Sequence, residues 1–169
     1  MKLHSVDVHA LPPEIYQAFA TKNALLTAGD QDHCNPMTIG WCQLGRIWGK
    51  PVCSVYVRPE RYTYQFIEKN NYYTVSILPA DAKETMKLCG TKSGRDMDKI
   101  QACGLTVRRG AGSAPFFEEA EMVLVCKKMY VQDMEEASVL DRETIMPFYG
   151  AYGNWHRIYV GEIVEAYVK

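Results

Sequence analysis

The chain has 169 residues, 47% of them hydrophobic and 23% charged, with a formal net charge of -1. That length suits one domain with a core of its own, and that balance belongs to an ordinary soluble globule. The near-neutral charge gives no electrostatic case for nucleic acid or for an anionic membrane surface.

No stretch approaches the roughly 20 apolar residues of a membrane span. The start, MKLHSVDVHALPPEIYQAF, carries charges and paired prolines where a signal peptide needs an unbroken apolar run, so a cytoplasmic location is expected. Taken in order, the first element is a helix over 14–20, opened by two prolines. Strands rich in β-branched and aromatic residues follow over 25–28, 37–44 and 52–57. A helix over 59–70 has Pro59 near its first turn and places Tyr62, Phe66 and Ile67 on one face. After a strand over 72–78 come a helix over 82–89, stopped by Gly90, and a helix over 94–103 that begins after Ser93. Strands over 122–132 and 157–168 complete the chain. In the last, Ile158, Val160, Val164 and Val168 share one face while Arg157 and Glu165 lie on the other. Such alternation suits antiparallel sheet with one wet face, and strands do not alternate regularly with helices. A small, mostly β barrel with a few interposed helices is expected, not a doubly wound parallel sheet.

Three segments could carry chemistry. In Asn35-Pro36-Met37-Thr38-Ile39-Gly40-Trp41 a turn runs into a strand. There a threonine hydroxyl and main-chain amides could bond the edge of a planar heterocycle, with Gly40 letting a ring approach the backbone. Taken alone, it reads first as a loop followed by an ordinary strand, because one threonine and one glycine specify little. In Val57-Arg58-Pro59-Glu60-Arg61-Tyr62-Thr63 a strand ends and a helix opens. Helix starts attract phosphate, and two arginines add charge-assisted donors, although both arginines also suit a solvated surface. In Cys89-Gly90-Thr91-Lys92-Ser93-Gly94-Arg95-Asp96-Met97-Asp98-Lys99, hydroxyl and cationic donors stand beside two glycines. This is no P-loop, and Ser93-x-x-Asp96 also reads as a capping box for the next helix.

Six cysteines (Cys34, Cys42, Cys53, Cys89, Cys103, Cys126) and four histidines show no C-x-x-C or H-x-x-x-H spacing, so no metal site or disulfide is expected. No nucleophile elbow and no GxGxxG are legible. His156, in Asn154-Trp155-His156-Arg157, is a lone histidine of the kind that is usually structural.

Taken together and in order, NPMTIGW at 35–41, KPVCSVYVRPERYTYQFIEKNNYYTVSIL at 50–78, CGTKSGRDMDK at 89–99 and HRIYVGEIV at 156–164 resemble the flavin reductase-like proteins of the FMN-binding split-barrel superfamily. The resemblance is nearest to the flavoredoxin branch and extends roughly from Asn23 to Lys169. It implies that residues 1–169 form one domain, a six-stranded antiparallel Greek-key split β-barrel that works as a homodimer with FMN held near the interface. Asn35, Met37, Thr38, Ile39 and Gly40 match the loop and strand lining the isoalloxazine ring. Val57, Arg58, Arg61, Tyr62 and Thr63 match the segment that approaches the ribityl phosphate. Lys92, Ser93 and Gly94 match the second phosphate-side loop, and His156 matches a histidine near the flavin and nicotinamide, the candidate catalytic residue. NADH or NADPH is the implied co-substrate, with an electron-transfer protein as the alternative partner and a non-catalytic electron carrier as the alternative function. The short flavin reductases carry a run of small residues where this chain has Asn35 to Trp41, and Trp41 and Trp48 are bulky near the expected ring site, which favours FMN held tightly as a prosthetic group.

Overall fold

The structure, a computed structural model, describes residues 2–30, 32–150 and 153–169. Among these the chain runs β1 (His4–Val6), α1 (Pro13–Thr21), β2 (Ala24–Gly29), β3 (Cys34–Ile39), β4 (Cys42–Ile47), β5 (Lys50–Val57), α2 (Tyr62–Lys69), β6 (Tyr72–Ile77), α3 (Lys83–Thr91), α4 (Lys99–Ala102), β7 (Val107–Arg109), β8 (Pro115–Phe117), β9 (Met122–Asp133), α5 (Arg142–Ile145) and β10 (Arg157–Val168). No described helix is long and apolar enough to cross a membrane.

An antiparallel sheet carries the fold in the order β3-β2-β6-β9-β10-β5-β4, with β1 paired to the far end of β10. Its two end strands, β3 and β4, follow one another in sequence and part at a bend over Gly40 and Trp41. The barrel is therefore split there, joined by chain and not by a ladder. A separate β7-β8 hairpin packs against β6 and β2. Inside the barrel, Ile15, Leu26, Val55, Tyr73 and Tyr159 are fully buried. Leu25, Cys89, Phe117, Val123 and Val125 form a second buried cluster on the outer face. Both faces of β2 are thus covered, so it is buried along its whole length and does not alternate.

Tyr73 crosses the barrel, and its hydroxyl donates to the Cys53 carbonyl at 2.5 Å. Gly161 makes this possible, since a Cβ there would lie 2.6 Å from the Tyr73 hydroxyl. The β9-β10 register shifts beside this glycine, between Val160 and Gly161, as at a bulge.

The split barrel agrees with the sequence expectation, with local differences. The expected strand over 37–44 is two strands, because the chain turns at Gly40 from one end of the sheet to the other. Asn35 and Pro36 lie within β3 and not in a turn; β3 is a terminal strand, where proline is tolerated. The helix expected over 82–89 runs past Gly90 to Thr91. The one expected over 94–103 shrinks to α4, and the capping box does not form. Ser93 Oγ instead accepts from the Arg95 N–H at 3.2 Å, and Asp98 caps α4 by accepting from the N–H groups of Ile100 and Gln101.

Candidate functional site

Beside the split, β3, the end of β5, the start of α2 and the end of α3 enclose a groove of adjoining compartments. The first, about 300 Å³, has apolar and aromatic wall from Met37, Ile39, Trp41 and Tyr56, with polar groups from Thr38, Arg58 and His156. The second, about 130 Å³, is cationic, lined by Arg61, Lys92, Arg95 and Lys99 with Asn35, Tyr62, Thr63 and Ser93. Met37, Glu60 and Arg61 line both, so the two are continuous. A third, about 500 Å³, adjoins the cationic compartment through Asn35, Tyr62, Arg95 and Lys99.

The local chemistry explains this arrangement. Asn35, buried in β3, donates from Nδ2 to Thr63 Oγ1 at 2.7 Å and so fixes the start of α2 against the strand. The first N–H groups of a helix have no partner within it and favour an anion. Arg61, the N-cap residue, donates from Nη2 to the Gly90 carbonyl at 3.0 Å, tying the end of α3 to the start of α2. Gly94 is needed here, because a Cβ would collide with the Asn35 side-chain oxygen and lie 2.8 Å from the Tyr62 ring. Lys99 is 3% exposed, and its ammonium donates to the Pro36 carbonyl at 2.7 Å and the Cys89 carbonyl at 3.3 Å. Two neutral carbonyls leave its charge uncancelled; burial lowers its pKa, an energetic cost that an anion alongside would offset.

On the aromatic side, Trp41 packs edge-on against Phe148 at 5.4 Å and lies 4.5 Å from the His156 ring, centroid to centroid. His156 Nδ1 is hydrogen-bonded to the Tyr149 hydroxyl at 2.9 Å. Burial, aided by the Arg58 charge, holds the His156 pKa down to about 4, so the ring is neutral at neutral pH. Arg58 donates to the Phe148 carbonyl at 2.7 Å and lies over the Tyr149 ring. The Thr38 hydroxyl donates to the Met86 carbonyl at 2.6 Å, which leaves only its lone pairs to a ligand.

The residues singled out in the sequence thus converge, with three shifts of place. Arg58, expected on the phosphate side, lines the aromatic compartment, because its side chain is drawn to Phe148 and Tyr149. Gly94 lines the third compartment, beyond Lys92 and Ser93. Val57 lines none of the three: it is fully buried in the barrel core, opposite Arg157 on β10. Trp48 is also remote from the groove; it sits in the β4-β5 turn, 5.9 Å from the Tyr130 ring. Lys99, Tyr56 and Tyr149 went unrecognised. Lys99 closes the third motif in sequence, but its burial depends on reaching across to β3, which no local pattern records.

A groove with an aromatic trough leading into a cationic notch, set at the split of an antiparallel barrel, defines a flavin-type split-barrel domain. The chain belongs to the Flavin reductase like domain family, whose model matches residues 16–169. Among solved structures, it is similar to a flavoredoxin from Methanosarcina acetivorans at 24% identity and a TM-score of 0.68, over 87% of this chain and 68% of that one. It is also similar to an FMN-binding domain of a flavin reductases-like enzyme from Shewanella baltica OS155, at 19% identity and a TM-score of 0.70, over 98% and 76% of the two chains. An FMN-binding protein from Thermus thermophilus, with bound 1-cyclohex-2-enone, matches at 21% identity and a TM-score of 0.67, over 86% and 69%. No curated protein matches the chain.

Proposed function

We propose that the groove holds FMN as a bound prosthetic group and that the protein is an oxidoreductase, taking electrons from NADH, NADPH or a protein donor and passing them to an acceptor. The observation that carries this reading is the continuity of the two compartments at Arg61, beside a buried lysine whose ammonium donates to two neutral carbonyls. A flavin ring suits apolar walls with a few placed polar groups, and a phosphate dianion suits the cationic notch. Asn35, Arg61, Tyr62, Thr63, Lys92, Ser93 and Lys99 would hold the phosphate end; Met37, Thr38, Ile39, Gly40 and Trp41 would hold the ring. FMN, when bound, supplies the electron chemistry. The chain orients it, narrows solvent access with Trp41, and keeps a neutral imidazole at His156 beside it. We further propose a homodimer, supported by the family and by an exposed apolar patch away from the groove.

The test is titration of the purified protein with FMN and riboflavin, followed by anaerobic mixing with NADH and NADPH. FMN should bind more tightly than riboflavin, and Arg61→Ala should weaken FMN alone. A charge-assisted hydrogen bond is worth ~1.5–3 kcal/mol, so a loss of roughly tenfold or more is expected. Equal losses for both ligands would place Arg61 away from the phosphate. Bound FMN that neither nucleotide reduces would make the protein an electron carrier.

A further inference from the structure

All six cysteines are free thiols. Their spacing along the chain pairs none of them, but the fold brings Cys89 and Cys103 together. Cys89 lies in α3 and is fully buried, while Cys103 is the C-cap of α4 and half-buried. Lys99 and Cys103 stand four residues apart and so share one side of that helical turn. The Lys99 ammonium reaches the Cys89 carbonyl at 3.3 Å, which aims Cys103 at the same stretch of α3. Cys89 belongs to the buried cluster on the outer face of the barrel, and Cys103 packs against that cluster. The two thiols interact: burial, then the Cys103 thiol, push the Cys89 pKa up to about 12 against the pull of the Lys99 charge.

Cys103 also opens outward, into a cavity of about 370 Å³. Leu88 and Ala102 supply its apolar wall, Lys87 and Lys92 two exposed cations, and Glu84 one carboxylate. A small ligand carrying more carboxylates than amines matches that charge, and the volume falls in the range of small-molecule sites. Cys53 and Cys126 also meet, but both are fully buried inside the barrel, where no solute reaches them. At Cys103 and Cys89, by contrast, one thiol faces a cavity and a second stands behind it. That is the arrangement of an attacking and a resolving thiol.

We propose that Cys103 and Cys89 form a thiol–disulfide exchange site, whose cavity docks a small peptide-like disulfide rich in carboxylates. The Cys103 sulfur attacks the docked disulfide and bonds to one half of it; the ligand's own S–S bond breaks, and the other half leaves as a thiol. The Cys89 sulfur then attacks the Cys103 sulfur, and the second half leaves as a thiol. The two cysteines lose two electrons and two protons, and the small disulfide gains both. Its high pKa keeps Cys89 protonated at neutral pH, so Cys103 reacts first. The product ties α3 to α4 beside Lys92, which lines both this cavity and the cationic compartment.

The test is to treat the reduced full chain with oxidised glutathione, block remaining thiols by alkylation, and map the peptides by mass spectrometry over time. A Cys89–Cys103 linked peptide is expected, preceded by a glutathione adduct on Cys103. Cys89→Ser should stop at that adduct, and Cys103→Ser should leave Cys89 unmodified; melting temperatures report that both are folded. Cystamine, a small disulfide with amines and no carboxylate, should react roughly tenfold more slowly than oxidised glutathione. Lys87→Glu, an exposed change that does not touch either thiol's burial, should slow oxidised glutathione by roughly tenfold and not slow cystamine. Adducts confined to Cys34 or Cys42, or Cys89 modified in Cys103→Ser, overturn the proposal. Equal rates for the two disulfides overturn it as well. A linked peptide formed with hydrogen peroxide but not with oxidised glutathione would make the pair an oxidation site without a disulfide ligand, and the proposal falls.

Discussion

At the scale of single residues, His156 is defined by what its surroundings withhold. A cationic imidazole would stabilise negative charge gathering on a reduced ring, but burial and Arg58 keep this one neutral until about pH 4. Its contribution at neutral pH is therefore a positioned hydrogen-bonding group, held by the Tyr149 hydroxyl. His156→Asn is expected to leave FMN bound and slow its reduction by the active nucleotide by about tenfold, the lower end of what a positioned polar group supplies. Stopped-flow reduction within twofold of the unaltered protein would remove His156 from the reaction. The same residue sets a pH dependence of stability. The unfolded chain takes up a proton on His156 below its ordinary 6.5, whereas the folded chain resists until about 4. Acid thus favours the unfolded chain across that window, and stability present at neutral pH drains away as pH falls from 6.5 towards 4. Calorimetry at pH 7 and pH 5 should find a smaller drop in Tm for His156→Asn than for the parent.

At the scale of elements, Arg157 shows how the groove's helix is seated. It grips Asp133 with two bonds of 2.6 Å across the β9-β10 pair and reaches Glu68 on α2 at 3.1 Å. Glu68 also accepts from the Tyr159 hydroxyl at 2.5 Å. Part of this network is exposed, so removing it should cost about 1 kcal/mol, or roughly 2–4 °C in Tm for a chain of this size. Arg157→Met tests this by thermal melting, and Arg157→Lys should recover only part of the loss, since an ammonium cannot make the paired bonds. An unchanged Tm in Arg157→Met would leave the network without structural weight. Elements of this kind were legible where local pattern and tertiary demand agree. β5, β6, β9 and β10 are long apolar or alternating runs, and the sequence bounds them to within two residues. The sequence is silent where pairing is remote or short: β1 exists only because it meets the end of β10, and β7 and β8 have three residues each. It misleads where two local rules compete, as when Ser93 offers a capping box and Asp98 makes the cap. The groove residues were legible as types in order, but their sides were not, because Arg58's side is chosen by Phe148, ninety residues away.

At the scale of the whole molecule, one surface stands apart from the groove. Trp48 at the β4-β5 turn meets Tyr130 on β9, and these two, with Ile47, Met129 and Val131, are each between 40% and 56% exposed. Apolar residues gathered so are costly on a monomer and suit the core of an interface. Under the proposed homodimer, Tyr130→Asp should yield monomers by light scattering. A dimer that persists in this variant would mean that the patch is not its interface. The layout between β9 and β10 has a different kind of consequence. The Met134 N–H donates to the His156 carbonyl at 2.9 Å, so the excursion that brings Phe148, Tyr149 and Trp155 to the groove leaves and returns at one point. Its length and sequence are uncoupled from the register of the barrel. The backing of Trp41 and His156 is thus a replaceable cassette: it can change in length and sequence, and so retune what reaches the groove, while the strands and helix starts around the cationic compartment keep their register.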